Sequence, residues 1–202
     1  MKNTNHGLRD ILLLVTMLAG GCSGAASDRT ATRSVDNESP EAPRHRVPSD
    51  LVEAPLRNEV RATLETSIHD AWRVLSDHGA LPSYAAGIQD VTVADGCSDE
   101  DGGGMGCQRT CLFKEGPPVT EEVVFIEEPY VLAMRGVGEN SYQLTNDLTL
   151  VTLADLGNGK TEVLFRMYFD HPEPSTMAAA TEQGFRGMGD GLVRRFGGRV
   201  HP

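Results

Sequence analysis

Positive charge is scarce in this chain. Its 202 residues carry 18 Lys and Arg against 29 Asp and Glu, a formal charge of -11 with a sequence pI near 4.9. No basic cluster offsets this locally, so phosphate backbones and anionic lipid surfaces are repelled and nucleic acid is not an expected partner. Long apolar runs are also missing: the marked one, Ile11 to Leu18, is far shorter than the roughly 20 residues a membrane-spanning helix needs. There is no internal repeat, no Ser-His-Asp order, no phosphate-cradling glycine loop and no set of paired metal ligands. Neither a metal nor a cofactor is expected.

The chain divides into three parts by composition. Residues 1–22 read as an export signal, with Lys2 and Arg9 ahead of the apolar run and Ala19, Gly20 and Gly21 leading into Cys22. Leu-Ala-Gly-Gly-Cys at 18–22 resembles the lipobox of bacterial lipoproteins, with one extra Gly between the Leu and the Cys; the resemblance implies lipidation of Cys22, an N-terminal membrane anchor and an exported protein facing the periplasm or cell exterior. The alternative is a plain secretory signal. Residues 23–50, rich in Ser, Ala, Thr, Asp, Glu, Arg and Pro, form a disordered tether whose composition cannot supply a core. Residues 51–202 then form one domain, of a size at which a single core is expected.

Export places the domain in an oxidising compartment, where thiols tend to pair. With Cys22 lipidated, Cys97, Cys107 and Cys111 remain, and no histidine lies near them in sequence to suggest a metal site. Cys97 and Cys107 flank an acidic, Gly-rich loop, so a disulfide there would staple the base of a long hairpin, with Cys111 left as a small core residue. Asp99-Glu100-Asp101-Gly102 has the early spacing of a calcium loop, but that alignment puts Cys97 and Gln108 where acidic ligands are required, and a solvated hairpin tip is the better reading.

Within the domain, residues 56–66 alternate as a strand, with Val60, Ala62 and Leu64 on one side. Ser67 stands at an N-cap position with Asp70 three residues on, and Ile68, Ala71, Trp72 and Leu75 follow at helical spacing. His78-Gly79 ends that helix, and a turn at 81–84 leads to a second short helix or loop. Strands are then predicted over 88–94, 106–114, 119–127, 130–137, 142–153 and 161–170, joined by short Gly, Pro and Asn turns that favour an antiparallel meander. A closing helix, capped by Ser175, presents Met177, Ala180, Thr181, Gly184, Phe185, Met188, Leu192 and Phe196 on its less polar side. Gly184, Gly187, Gly189 and Gly191 each cost on the order of 0.5–1 kcal/mol relative to Ala, so packing must hold this helix. Gly184 and Gly191 either bring it close to the sheet or leave space for a ligand.

The segments 69–77 (His-Asp-Ala-Trp-Arg-Val-Leu-Ser-Asp) with Leu81-Pro82-Ser83-Tyr84, then Gly106-Cys107-Gln108-Arg109-Thr110-Cys111, Thr120-Glu121-Glu122-Val123 with Glu128-Pro129, and the glycine-containing final helix carry a resemblance. Together they resemble the polyketide cyclase/dehydrase branch of the START-like, or SRPBCC, superfamily over roughly residues 57 to 197. The loop at 95–105 and the lipid anchor fall outside that pattern. The resemblance implies an α+β helix-grip fold, in which a curved antiparallel sheet of about seven strands wraps a long C-terminal helix, with one or two short helices after the first strand. It further implies a deep, mainly apolar cavity for a lipid, sterol or polyketide-like molecule, a minority of the family being cyclases or aromatases.

Candidate ligand contacts follow from strand parity. One face of the last strand carries Val163, Phe165, Met167 and Phe169, and one face of the strand before it carries Tyr142, Leu144, Asn146, Leu148 and Leu150; these are the predicted inner faces, with Phe185 and Met188 opposite on the closing helix. Arg109 and Glu121 are near cross-strand neighbours across the turn at 115–118; the readings are a ligand-orienting or a structural charge pair inside the cavity, a register that turns Glu122 inward instead, or simple surface positions. Tyr142 and Asn146 are candidate donors to a ligand carbonyl. Among histidines, His171 is a weak catalytic candidate beside Asp170, His78 ends the first helix and His69 sits on its solvent side. The expected function is a lipid-anchored envelope protein holding a hydrophobic small molecule; the alternatives are a cyclase/aromatase-type enzyme and an envelope protein-interaction module.

Overall fold

The computed structural model describes residues 47–95, 97, 104–138 and 142–202. Cys22, the signal segment, most of the proposed tether, Asp99, Glu100, Asp101 and the turn residues Glu139 and Asn140 lie outside them.

Among the described residues, eight strands form one antiparallel sheet in the order β2-β3-β4-β5-β6-β7-β1-β8. They are β1 (Leu56–Leu64), β2 (Ile88–Val93), β3 (Gln108–Phe113), β4 (Val119–Glu127), β5 (Val131–Gly136), β6 (Thr145–Gly157), β7 (Lys160–Asp170) and β8 (Gly198–Val200). Helices α1 (Ile68–Leu75) and α2 (Leu81–Tyr84) follow β1, and α3 (Pro174–Phe196) follows β7. The sheet wraps α3 in a helix-grip arrangement. The eighth strand was not predicted: Gly198 and Arg199 carry no alternation, yet Val200 pairs with Ala62 and extends the sheet beyond β1.

Local chemistry explains most boundaries. Ser67 caps α1 by accepting the Asp70 amide at 3.2 Å, while its hydroxyl donates to the Asp70 carboxylate at 2.7 Å. Asp77 accepts the Ala80 amide and caps a single 3-10 turn over His78–Ala80, which runs directly into α2. The expected Ser175 cap is corrected by the structure. Helix α3 begins at Pro174, whose missing N–H suits the first helical position, Glu173 stands at the N-cap without a side-chain bond, and Ser175 lies inside the helix.

The concave face carries the main core, with Val60, Ala62 and Leu64 of β1, Leu132 and Met134 of β5, Val151 and Leu153 of β6, and Val163, Phe165, Met167 and Phe169 of β7. The opposite parity of β5 and β6 builds a second cluster from Val131, Ala133, Leu148 and Leu150 on the outer face. The predicted inward set of β6 is therefore half wrong. A bulge between Thr145 and Leu148, with Asn146 at φ 52, shifts the alternation by one, so Tyr142 and Leu144 join the inner core while Leu148 and Leu150 face outward. Val47, Leu51 and Val52 pack on that outer cluster, and Arg135 fastens the strap by donating to the Leu51 carbonyl at 2.7 Å and pairing with Glu53 at 3.2 Å. The last residues assigned to the tether, from Val47 on, thus already belong to the packed domain.

Helix α3 rests chiefly on β1, β8 and α2, with a smaller contact to β7. Phe185 stacks on Phe165 at 5.6 Å, and the Asn58 amide donates to the Thr181 hydroxyl at 2.6 Å. Its glycines divide into two kinds. At Gly191 a Cβ would fall well inside contact with the Tyr84 carbonyl, and at Gly189 it would meet Val200 at 3.0 Å; at Gly184 and Gly187 it would meet nothing within 4 Å.

Candidate functional site

The turn at 115–118 sets the register of β3 and β4 so that Arg109 pairs directly with Glu121, and Gln108 with Glu122. Side chains of one parity enter the concave face, which resolves the choice between the two glutamates. Arg109 Nε and Nη2 both donate to Glu121 Oε2, at 2.9 and 2.8 Å, whereas Gln108 donates to Glu122 at 2.8 Å on the other side. Arg109 is only 6% exposed. A charge buried to that degree requires its partner, because desolvation of either ion alone costs several kcal/mol.

Three more side chains complete the cluster. His78, fully buried, places Nδ1 at 3.3 Å from Arg109 Nη1. A guanidinium can only donate, so His78 Nδ1 accepts and the ring is held neutral with its hydrogen on Nε2. Cys111 donates to Glu121 Oε2 at 3.8 Å, and burial together with the Glu121 charge pushes its thiol up to about 12. It is a core residue and a poor nucleophile. Tyr84 of α2 is buried beside Arg109, and burial raises its phenol well above the ordinary value. For Arg109 itself, burial opposes the charge, but Glu121, Cys111 and Tyr84 outweigh it and shift the guanidinium upward.

The inner face continues in polar steps. Glu121 lies opposite Gly136, and the carboxylate of Asp147, which accepts the Gly136 amide at 2.8 Å, occupies the space a side chain at 136 would fill. One residue row further along, Asn58, Met167, Thr149 and Met134 stand side by side across β1, β7, β6 and β5. The arrangement is an apolar concavity with a hydrogen-bonding centre on β3 and β4, able to orient a ligand hydroxyl or carbonyl.

The other sequence candidates are dispersed. Phe165, Met167, Phe169 and Phe185 are buried in the concave core, and Met188 is partly buried against it. Tyr142 packs edge-on to Phe113 at 6.2 Å and donates to the Pro117 carbonyl at 3.4 Å, at the β3–β4 turn. Asn146 is exposed at the bulge and donates to Asp170 at 3.0 Å. His171 accepts the Glu173 amide at 2.9 Å through Nδ1 and supports the turn into α3, away from the Arg109 cluster. Cys97 and Cys107 are joined by a disulfide. A hollow of about 320 Å³ at Thr63, Glu65, Lys160, Gly198 and Arg199 is a charged feature of the outer surface, unrelated to the cluster.

In the sequence His78 reads only as a helix end, and Tyr84, Asp147 and Asn58 do not stand out as site residues. Asn58 had a legible signal, since it continues the parity of Val60, Ala62 and Leu64. His78 sits three residues beyond Leu75, on the same helical spacing as the buried stripe. Asp147 had none, because the bulge that turns it inward breaks the period.

The model of the family described as "Polyketide cyclase / dehydrase and lipid transport" matches residues 56–199. No curated protein matches the chain. Among solved structures, the protein XoxI from Bacillus cereus is similar with a TM-score of 0.58 at 12% identity, covering 69% of this chain and 94% of its own. A point mutant of norcoclaurine synthase from Thalictrum flavum, in complex with a transition-state analogue, gives 0.54 at 16% identity, covering 68% and 91%. A protein from Nitrosospira multiformis gives 0.55 at 14%, covering 69% and 96%. Likeness at these identities speaks for the fold alone.

Proposed function

Because the chain belongs to the polyketide cyclase / dehydrase and lipid transport family, we propose that it is a receptor for a hydrophobic small molecule, held on the concave face with its polar group at Arg109 and Glu121. The observation that carries this reading is the placement of α3. The helix rests chiefly on β1, β8 and α2, whereas the polar cluster lies on β3 and β4. Burial of apolar ligand surface, worth about 25 cal/mol per Å², would drive binding, and the cluster would choose orientation. Glu121 already neutralises the one guanidinium here, which favours an uncharged hydroxyl over a carboxylate as the ligand's polar group.

The test is native mass spectrometry of the exported protein before and after organic extraction. A small molecule recovered unchanged is the expected result; repeated absence of any bound molecule would sink the receptor reading. The enzyme reading draws on the neutral His78 beside Arg109, and a ligand recovered in altered form would favour it.

The receptor is further proposed to be tethered at a bacterial envelope through lipidated Cys22, with residues 23–46 as spacer. The support is the lipobox-like sequence at 18–22 together with a low-hydrophobicity spacer. Cys22→Ala should move the protein from the membrane to the soluble fraction, and unchanged fractionation would refute the anchor.

A further inference from the structure

We infer that the concave face carries a second polar subsite, formed by Asn58 and Thr149 on either side of Met167, which takes an O–H or N–H donor at the far end of the ligand. This rests on the receptor reading above and specifies its ligand as an elongated, uncharged molecule that is polar at both ends.

Asn58 is 8% exposed, on the core-facing parity of β1. Its amide nitrogen donates to Thr181 Oγ1 at 2.6 Å and to the Ala178 carbonyl at 3.3 Å, which fixes the amide orientation, since a flipped group would set two oxygens against each other. Its Oδ1 is then buried with no hydrogen-bond partner. Buried acceptors are nearly always satisfied, so a vacancy of this kind on an interior face calls for a donor. Thr149, also buried, is under-used as well: its hydroxyl meets only the Met167 thioether at 3.7 Å, a weak acceptor. Met167 is the direct cross-strand partner of both Thr149 and Asn58, so the two polar groups flank one flexible thioether that can move aside.

The first polar centre is on β4 and this one reaches β1. Four strand spacings separate them, about 19 Å measured along the sheet and less across its curve. A saturated chain of about a dozen carbons with a hydroxyl at each end suits that span.

The probes are dodecan-1-ol, dodecane-α,ω-diol and the diol's monomethyl ether, each titrated calorimetrically into the full mature chain. The ether is the more hydrophobic compound and keeps an acceptor, but its far end has no donor. Wild type should bind the diol at least about threefold more tightly than the ether. Asn58→Leu should reverse that order and leave dodecan-1-ol within about twofold. An ether that binds wild type as tightly as the diol, or a diol preference that survives in Asn58→Leu, overturns the subsite and means that Oδ1 serves only a resident water. Failure of all three probes to bind overturns the receptor reading and this inference with it, whereas dodecan-1-ol binding without the diol overturns the subsite alone. The wild-type comparison stands even if the variant does not fold.

Discussion

Glu121→Leu is expected to lower the unfolding free energy by about 3–5 kcal/mol, measured as a shift of the denaturant midpoint at unchanged slope. The leucine fills most of the volume, so the loss is electrostatic. Arg109 cannot discharge at any working pH, has 6% of its surface in water, and gives two of its N–H groups to Glu121 Oε2. Without the carboxylate it is a buried cation facing a neutral imidazole. Combining Glu121→Leu with Arg109→Met should recover most of the loss, because replacing a buried ion pair as a whole by apolar groups is often near neutral. A single variant within about 1 kcal/mol of wild type would show that water reaches the guanidinium, and the cluster would lose its standing as an orienting centre. The double variant should also bind apolar probes without preference for a hydroxyl.

Gly191→Ala should destabilise the fold by about 3 kcal/mol or more, against the direction of helix propensity. In an open helix the same exchange stabilises by roughly 0.5–1 kcal/mol, because alanine gives up less backbone freedom. At Gly191 the added methyl would overlap the Tyr84 carbonyl, which is backbone and cannot rotate away, so α2 and α3 must separate. Gly184→Ala, where a Cβ meets nothing within 4 Å, is the matched control and should raise the melting temperature slightly. Equal effects at the two sites would mean that α3 does not approach α2 as described. Since α2 also carries Tyr84 into the polar cluster, Gly191→Ala should weaken ligand binding beyond what its stability loss explains.

Much of this architecture is legible in residue order, and each failure has a local cause. The capped helix at Ser67 and Asp70, the inward set on β7 and the direct pairing of Arg109 with Glu121 all follow from short-range periods and a tight turn. The inward set of β6 fails where Asn146 adopts a left-handed conformation, since one extra residue inverts everything beyond it and no composition signal marks the place. Strand β8 is missed because its pairing with β1 comes from the path of the chain after α3, and Gly198-Arg199 has no strand preference of its own. The start of the packed strap, Val47 to Asp50, reads as tether because isolated apolar residues acquire meaning only against the outer cluster of Val131, Ala133, Leu148 and Leu150.

The site shows the same division. Arg109 and Glu121 sit on adjacent strands joined by a short turn, so their meeting is a local event that alternation predicts. His78, Tyr84 and Asp147 reach the same neighbourhood from other elements, and Asn58 is brought to α3 over 123 positions of sequence separation from Thr181. By itself, the order of amino acids determined the strand and helix periods, the family, and the ionic pair on β3 and β4, all of which depend on neighbours within a turn or a hairpin. Tertiary packing alone decided which face Leu148 and Leu150 occupy, which glycine of α3 is indispensable, and that Asn58 Oδ1 is left without a donor. Those outcomes arise from the mutual exclusion of distant atoms in a dense interior, and no local pattern records that exclusion.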